Sequence, residues 1–219
     1  MKFGNITIGG MSFGSVKIGG AKYGNTLVYQ SGGVTPTPPH TQVNYLRNAT
    51  CGEYINLGVI PNANTIIDVT YQDFQGNGNF LFGSRNGYNN AMFAFGSVTA
   101  TTTRADCMAK SYSPNPNGLG SHTAIMSKAG FYIDGSLAVA FSPQFSSNNY
   151  PLFVFAFNNA GTPSFMNSPV KISNIKIRDG GSNYIHDLIP VVYNGVGCFY
   201  DTIGGTYFYN QGTGAFTWE

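Results

Sequence analysis

Charge is what this sequence has least of. Asp, Glu, Lys and Arg together make up 9% of its 219 residues, against about 25% in an average soluble domain. The 11 basic and 9 acidic residues leave a net charge of +2, and no Lys/Arg cluster appears. The electrostatic footprint of a nucleic-acid binder is absent, so no nucleic-acid partner is expected. No apolar run approaches the roughly 18 residues of a membrane span, so no membrane insertion is expected either. The opening MKFGNITIGG has one Lys but neither a long apolar stretch nor an A-x-A site, which reads as no signal peptide. Such a chain is expected to be made in a cytoplasm and to leave by another route, cell lysis for one. Cysteine is scarce as well. Cys51, Cys107 and Cys198 are odd in number and far apart, with no CxxC or Cys/His spacing; they read as three free, mostly buried thiols and no zinc site.

What is abundant points one way. Gly reaches 29 residues and aromatics 15%, with Asn and Thr frequent. Disorder calls for high charge and few aromatics, so this composition argues for tight turns and an all-β fold instead.

Residues 1–30 contain a ten-residue repeat. An aromatic-Gly pair recurs at Phe3-Gly4, Phe13-Gly14 and Tyr23-Gly24, and Ile8, Ile18 and Val28 hold equivalent places. Small and aliphatic residues alternate with Asn5, Thr7, Ser15 and Lys17, a period of two that predicts one strand per unit. Gly9-Gly10 and Gly19-Gly20 read as the turns between units. Three such strands fall below the roughly 40 residues that usually fold unaided. An apolar face carried by Phe3, Ile6, Ile8, Phe13, Val16, Ile18, Tyr23 and Val28 would then need cover. An assembly anchor, docked on a partner or on copies of itself, is the favoured reading; a meander packed on the chain's own main domain is the other. Residues 31–42, SGGVTPTPPHTQ, read as a Gly/Pro-rich linker stiffened by its prolines, with His40 a solvated part of it.

From residue 43 to 219 the pattern is β throughout. Ile67, Val69 and Tyr71 alternate with Asp68 and Thr70, and Ile175 and Ile177 with Lys176 and Arg178. Asp134-Gly135 predicts a type I′ hairpin inside FYIDGSL. Short apolar runs with turn signals every 8–12 residues predict a two-sheet sandwich or jelly roll. The closing stretch, YIHDLIPVVYNGVGCFYDTIGGTYFYNQGTGAFTWE, reads as a meander. Gly204-Gly205 is its expected two-residue turn, and 215–218 its last strand, with Trp218 as a core or edge plug.

These residues resemble a family. YLRNATCGEYINLGVIPNANTIIDVTYQ is similar to the opening of the concanavalin A-like, laminin-G-like jelly rolls of bacteriophage tail and fibre proteins. Leu81-Phe82-Gly83-Ser84-Arg85 looks like the end of a strand in that family. His186-Asp187-Leu188-Ile189-Pro190, Gly197-Cys198-Phe199-Tyr200-Asp201 and Asn210-Gln211-Gly212-Thr213-Gly214-Ala215-Phe216 resemble its C-terminal signature. The aromatic-Gly repeats are similar to the anchor segments that precede such domains in virion proteins. The resemblance runs over essentially the whole chain.

Catalysis finds little support. Retaining glycosidases need two carboxyl groups about 5–5.5 Å apart, which a strand supplies from acids two or four residues apart on one face. No two acids here have that spacing, and Glu53 and Glu219 are the only glutamates. A pair from distant strands, such as Asp134 with Asp187, stays open. No Gly-x-Ser-x-Gly elbow occurs, and His122 and His186 have no nucleophile near them in sequence. His186-Asp187 reads as two solvent-side residues of one strand. Asp73, Asp106 and Asp134 could supply oxygens to calcium, but no acidic loop cluster marks a site. A non-enzyme without cofactor or metal is expected. Glycan contact would use aromatic faces and amides. The loops offering both hold Arg85, Asn86, Tyr88 and Asn89, and Asn148 and Tyr150.

The resemblance implies a structural or adhesion protein of a phage virion (tail, fibre or capsid decoration). Residues 1–30 would dock it to other virion proteins, as a homo-oligomer, and residues 43–219 would be displayed toward host surface glycans. The alternative is a free carbohydrate-binding module or bacterial surface lectin, against which the anchor and the lack of a signal peptide weigh.

Overall fold

The computed structural model describes residues 2–3, 6–13, 16–23, 26–30, 39–74, 79–86, 92–99, 102–107, 110–114, 120–141 and 148–219. Among them there is no helix, and the chain forms two compact units, Met1–Pro39 and His40–Glu219.

In the first unit the strands Lys2–Phe3, Ile6–Phe13, Val16–Tyr23 and Thr26–Gln30 form one antiparallel sheet in chain order. All eight residues read as the anchor lie in these strands. The turns, however, are not at the Gly-Gly pairs. Phe3 pairs with Ile6, Phe13 with Val16 and Tyr23 with Thr26, which moves the links to 4–5, 14–15 and 24–25, outside the described residues. Gly9-Gly10 and Gly19-Gly20 lie inside strands instead. Gly9 faces Gly20, and the register shifts at Gly10. Glycine within a strand commonly marks such a bulge.

The second unit is a two-sheet β sandwich. The larger sheet runs Ser136–Ala140, Gly130–Ile133, Ser121–Ser127, Thr65–Gln72, Lys171–Asp179, Tyr184–Tyr193, Val196–Asp201, Tyr207–Phe208. The smaller runs Lys110–Pro114, Thr102–Cys107, Met92–Thr99, Asn79–Arg85, Phe153–Val154, Ile55–Asn56, and Ala156–Asn159 adds to Asn79–Arg85 in parallel. Alternation supplies the core. Ile67, Val69, Tyr71, Ile172, Ile175 and Ile177 of one sheet meet Leu81, Phe82, Phe93, Phe95 and Val154 of the other in a single buried cluster. Cys107 and Cys198 are buried and Cys51 half-buried, all as free thiols. Burial pushes the Cys107 thiol up to about 12.

Turn chemistry corrects the expected meander. Asp134-Gly135 is a two-residue turn with both φ positive, 50° and 77°, as its sequence predicts. So is Asn194-Gly195, at 51° and 76°, between Tyr193 and its partner Val196. Gly204-Gly205 is part of a longer loop, because Asp201 rather than the glycines organises it. The Asp201 and Gly205 amides donate to Thr206 O and Asp201 O at 2.8 Å, and the Ile203 amide donates to the Asp201 carboxylate at 3.1 Å. The last strand, Thr217–Trp218, leaves the meander and pairs with Leu46–Arg47. The Trp218 ring lies over Gly197, where a Cβ would come within 2.9 Å of it, yet the residue is 38% exposed; it plugs an edge.

The linker also ends earlier than expected. Thr41–Gln42 is a strand paired with Val191 and Val192. His40 is half-buried among aromatic rings, its ring 4.4 Å from Tyr200 and its Nδ1 2.9 Å from the Tyr207 hydroxyl. It is no solvated linker residue.

Candidate functional site

The sequence nominated two loops far apart in the chain, and the structure fastens them to one end of the smaller sheet. The Asn148 amide donates to Ser84 Oγ at 2.7 Å, and its Oδ1 accepts the Tyr150 amide at 2.9 Å. Arg85 donates from Nε to Asn159 Oδ1 at 2.7 Å, and its guanidinium lies 5.0 Å from the Phe157 ring centre. Ala160 N donates to Arg85 O at 3.1 Å. The Ala160-Gly161 turn, with φ of 51° and 93°, thereby sits against both loops. Asn158 locks that turn by donating to Pro151 O and accepting from Gly161 N, at 2.8 and 2.7 Å.

This geometry divides the nominated residues. Asn148 is fully buried and its amide is committed; it scaffolds the loop and is not offered to a ligand. Arg85 braces the sheet end through Asn159 and Phe157. Asn86 is exposed and Tyr150 half-buried, so both keep a solvent face. Tyr88 and Asn89 lie outside the described residues. Beside this end, Phe80 and Phe157 stack at 4.7 Å, and Arg104, 2.6 Å from Asp106, covers Phe80.

His122, His186, Asp134, Asp187, Asp201 and Glu53 are held in structural bonds. His186 pairs with Asp201 at 2.7 Å, not with its sequence neighbour Asp187. Adjacent residues on a strand point to opposite faces. His186 turns toward Asp201 and Phe208, while Asp187 turns to Asn174 and Lys176. The expectation of two solvent-side residues is corrected accordingly. Burial alone would raise the Asp201 carboxyl, but hydrogen bonds from His186, Asp187 N and Ile203 N hold it below its ordinary range. Asp134 is lowered the same way, burial being outweighed by His122 and Thr123 N. Asp134 and Asp187 belong to elements four strand spacings apart in the sheet, roughly 19 Å, far beyond the reach of a glycosidase pair. Glu53 is buried and accepts from Thr50 N, Thr50 Oγ1 and Gly52 N. No cluster of three His, Cys, Asp or Glu suited to a metal occurs among the described residues.

Asn210 explains the C-terminal NQGTGAF phrase. Its Oδ1 accepts from Tyr54 N and Gly212 N at 3.0 and 2.9 Å, and its Nδ2 donates to Gly214 O at 3.0 Å. Gly212 passes so close to Gly52 that a Cβ would lie 1.9 Å from its carbonyl oxygen. The phrase is a clasp across residues 52–54.

Two surfaces escaped the sequence reading. One is a plate of His40, Tyr193, Tyr200, Tyr207 and Tyr209, with Tyr193 stacked on Tyr207 at 4.5 Å. The Asn194-Gly195 turn and the alternating Tyr207 and Tyr209 were its available signal. The other is a pocket lined by Asn44, Tyr45, Gln72, Lys171 and Ser173, whose parts lie too far apart in sequence to signal one another. No family model, curated protein or solved structure matches the chain.

Proposed function

We propose that this chain is a structural or adhesion component of a bacteriophage virion, with a jelly-roll sandwich of the concanavalin A-like, laminin-G-like kind. Its repeat sheet docks copies to one another and to other virion proteins, and its sandwich is displayed toward host surface glycans. The observation that carries this reading is the division of the chain: a self-paired repeat sheet, a Pro-rich connection, and a separate sandwich. A short sheet with an alternating sequence needs a second surface to be stable, and assembly supplies one. Assembly in turn multiplies weak sandwich contacts into avidity without any single strong site.

The sandwich acts by surface contact, without catalysis or cofactor. Asn86 and Tyr150 face the glycan, held in place by Arg85 and Asn148, and Tyr88 and Asn89 follow Asn86 in the same sequence run. Binding of the assembled full-length chain to an array of bacterial surface glycans tests this. A defined glycan signal that Tyr88→Ala or Asn86→Ala lowers at least tenfold is the expected result. A blank array at high display density contradicts it.

A further inference from the structure

The larger sheet carries a pocket of about 290 Å³ lined by Asn44, Tyr45, Gln72, Lys171 and Ser173. Gln72 and Lys171 are cross-strand partners on Thr65–Gln72 and Lys171–Asp179. Their neighbours Tyr71 and Ile172 point into the core, so these two side chains point away from it. Lys171 Nζ is 3.0 Å from Asp73 Oδ2 and 4.7 Å from the Tyr45 ring centre. Asp73 is in the left-handed region, at φ 61°, immediately after its strand. The Glu219 carboxylate lies beside Tyr45, and Asn44 N donates to Glu219 O at 2.7 Å. The amides of Asn44 and Gln72 have no hydrogen-bond partner among the described residues.

We infer that this pocket binds one sugar ring of an uncharged glycan. Its size is at the lower end of the roughly 300–1,000 Å³ of small-molecule sites, which suits a single ring rather than a nucleotide. Two unpartnered amides each offer a donor and an acceptor, the pairing that adjacent sugar hydroxyls require. Ser173 Oγ keeps acceptor capacity beside its 3.4 Å bond to Thr70 O, and Lys171 keeps ammonium protons beyond the one on Asp73. An anionic ligand is disfavoured because Asp73 neutralises Lys171 and Glu219 adds a carboxylate beside Tyr45. A divalent cation is disfavoured because no carboxylate lines the pocket and the nearby Asp73 is taken up by Lys171.

The inference rests on the glycan-contact reading but names a site on the other sheet from the nominated loops. Saturation-transfer NMR of the full-length chain tests it, with methyl glycosides of uncharged hexoses and N-acetylhexosamines as probes at millimolar concentration. Transfer from at least one glycoside is expected, weakened at least tenfold in Gln72→Ala and in Asn44→Ala, neither of which removes a side-chain hydrogen bond among the described residues. Transfer that both variants leave unchanged overturns the pocket but not glycan contact. No transfer alongside a positive glycan array also overturns the pocket alone. No transfer with a blank array overturns both.

Discussion

Tyr71 and Asp201 show how differently buried polar groups are treated in this sandwich. Tyr71 is fully buried between Phe74 and Phe95, and its hydroxyl has no hydrogen-bond partner among the described residues. An unsatisfied buried hydroxyl costs stability, so Tyr71→Phe is expected to raise it by about 1 kcal/mol in urea unfolding. Asp201 is satisfied by three donors, His186, Asp187 N and Ile203 N. Asp201→Asn keeps the shape but exchanges an acceptor for a donor, and is expected to cost about 1–3 kcal/mol at pH 7. The sign of its pH dependence follows from the lowered carboxyl. The stabilisation is complete above the ordinary aspartate value near pH ~4 and is lost as the pH falls through the lower folded value. The gap between wild type and Asp201→Asn should therefore narrow below about pH 4; a gap constant from pH 7 to pH 2.5 would refute this role. The DTIGGT phrase carries only the Ile203 donor, because those from His186 and Asp187 arrive from another strand.

At the scale of elements, close approach of strands decides which positions tolerate change. Gly83, at φ 155°, faces Ala94 across the smaller sheet, and a Cβ there would lie 2.4 Å from Ala94 Cβ and 2.8 Å from Ala94 Cα. Gly83→Ala is expected to destabilise by about 3 kcal/mol or more in thermal or urea unfolding. Ala94→Gly should not rescue it, since Ala94 Cα and Phe93 O would still be too near; full rescue would show that the backbone yields. Alternation was legible here: Ile67, Val69 and Tyr71 and Ile175 and Ile177 face the core as their spacing predicts. Loop geometry was less so. Asp134-Gly135 announces itself by residue type, whereas the Gly204-Gly205 loop is set by the Asp201 side chain, and glycine pairs within the repeats serve bulges as readily as turns. The two nominated loops could be picked by composition. That Asn148 would be spent on Ser84, and Arg85 on Asn159, depends on contacts across 64 and 74 residues, which no local pattern carries.

On the scale of the whole molecule, the all-β class and the division near residue 40 follow from low charge, abundant glycine and a Pro-rich connection. The boundary sits slightly earlier than composition suggests, because Thr41–Gln42 adds a strand to Val191–Val192 and His40 joins the tyrosine plate. The pocket stayed hidden because it is assembled from strands distant in sequence, and the plate because His40 joins it across 167 residues. Truncation should respect the structural boundary: 43–219 loses the Thr41–Gln42 pairing and is expected to melt below 40–219. In the proposed role the repeat sheet joins copies while the sandwich stands alone. Sedimentation velocity of the full-length chain beside 40–219, at matched concentrations in the tens of micromolar, tests it most directly. A discrete oligomer is expected for the full chain and a monomer for 40–219. A full chain that sediments as a monomer throughout that range would contradict it.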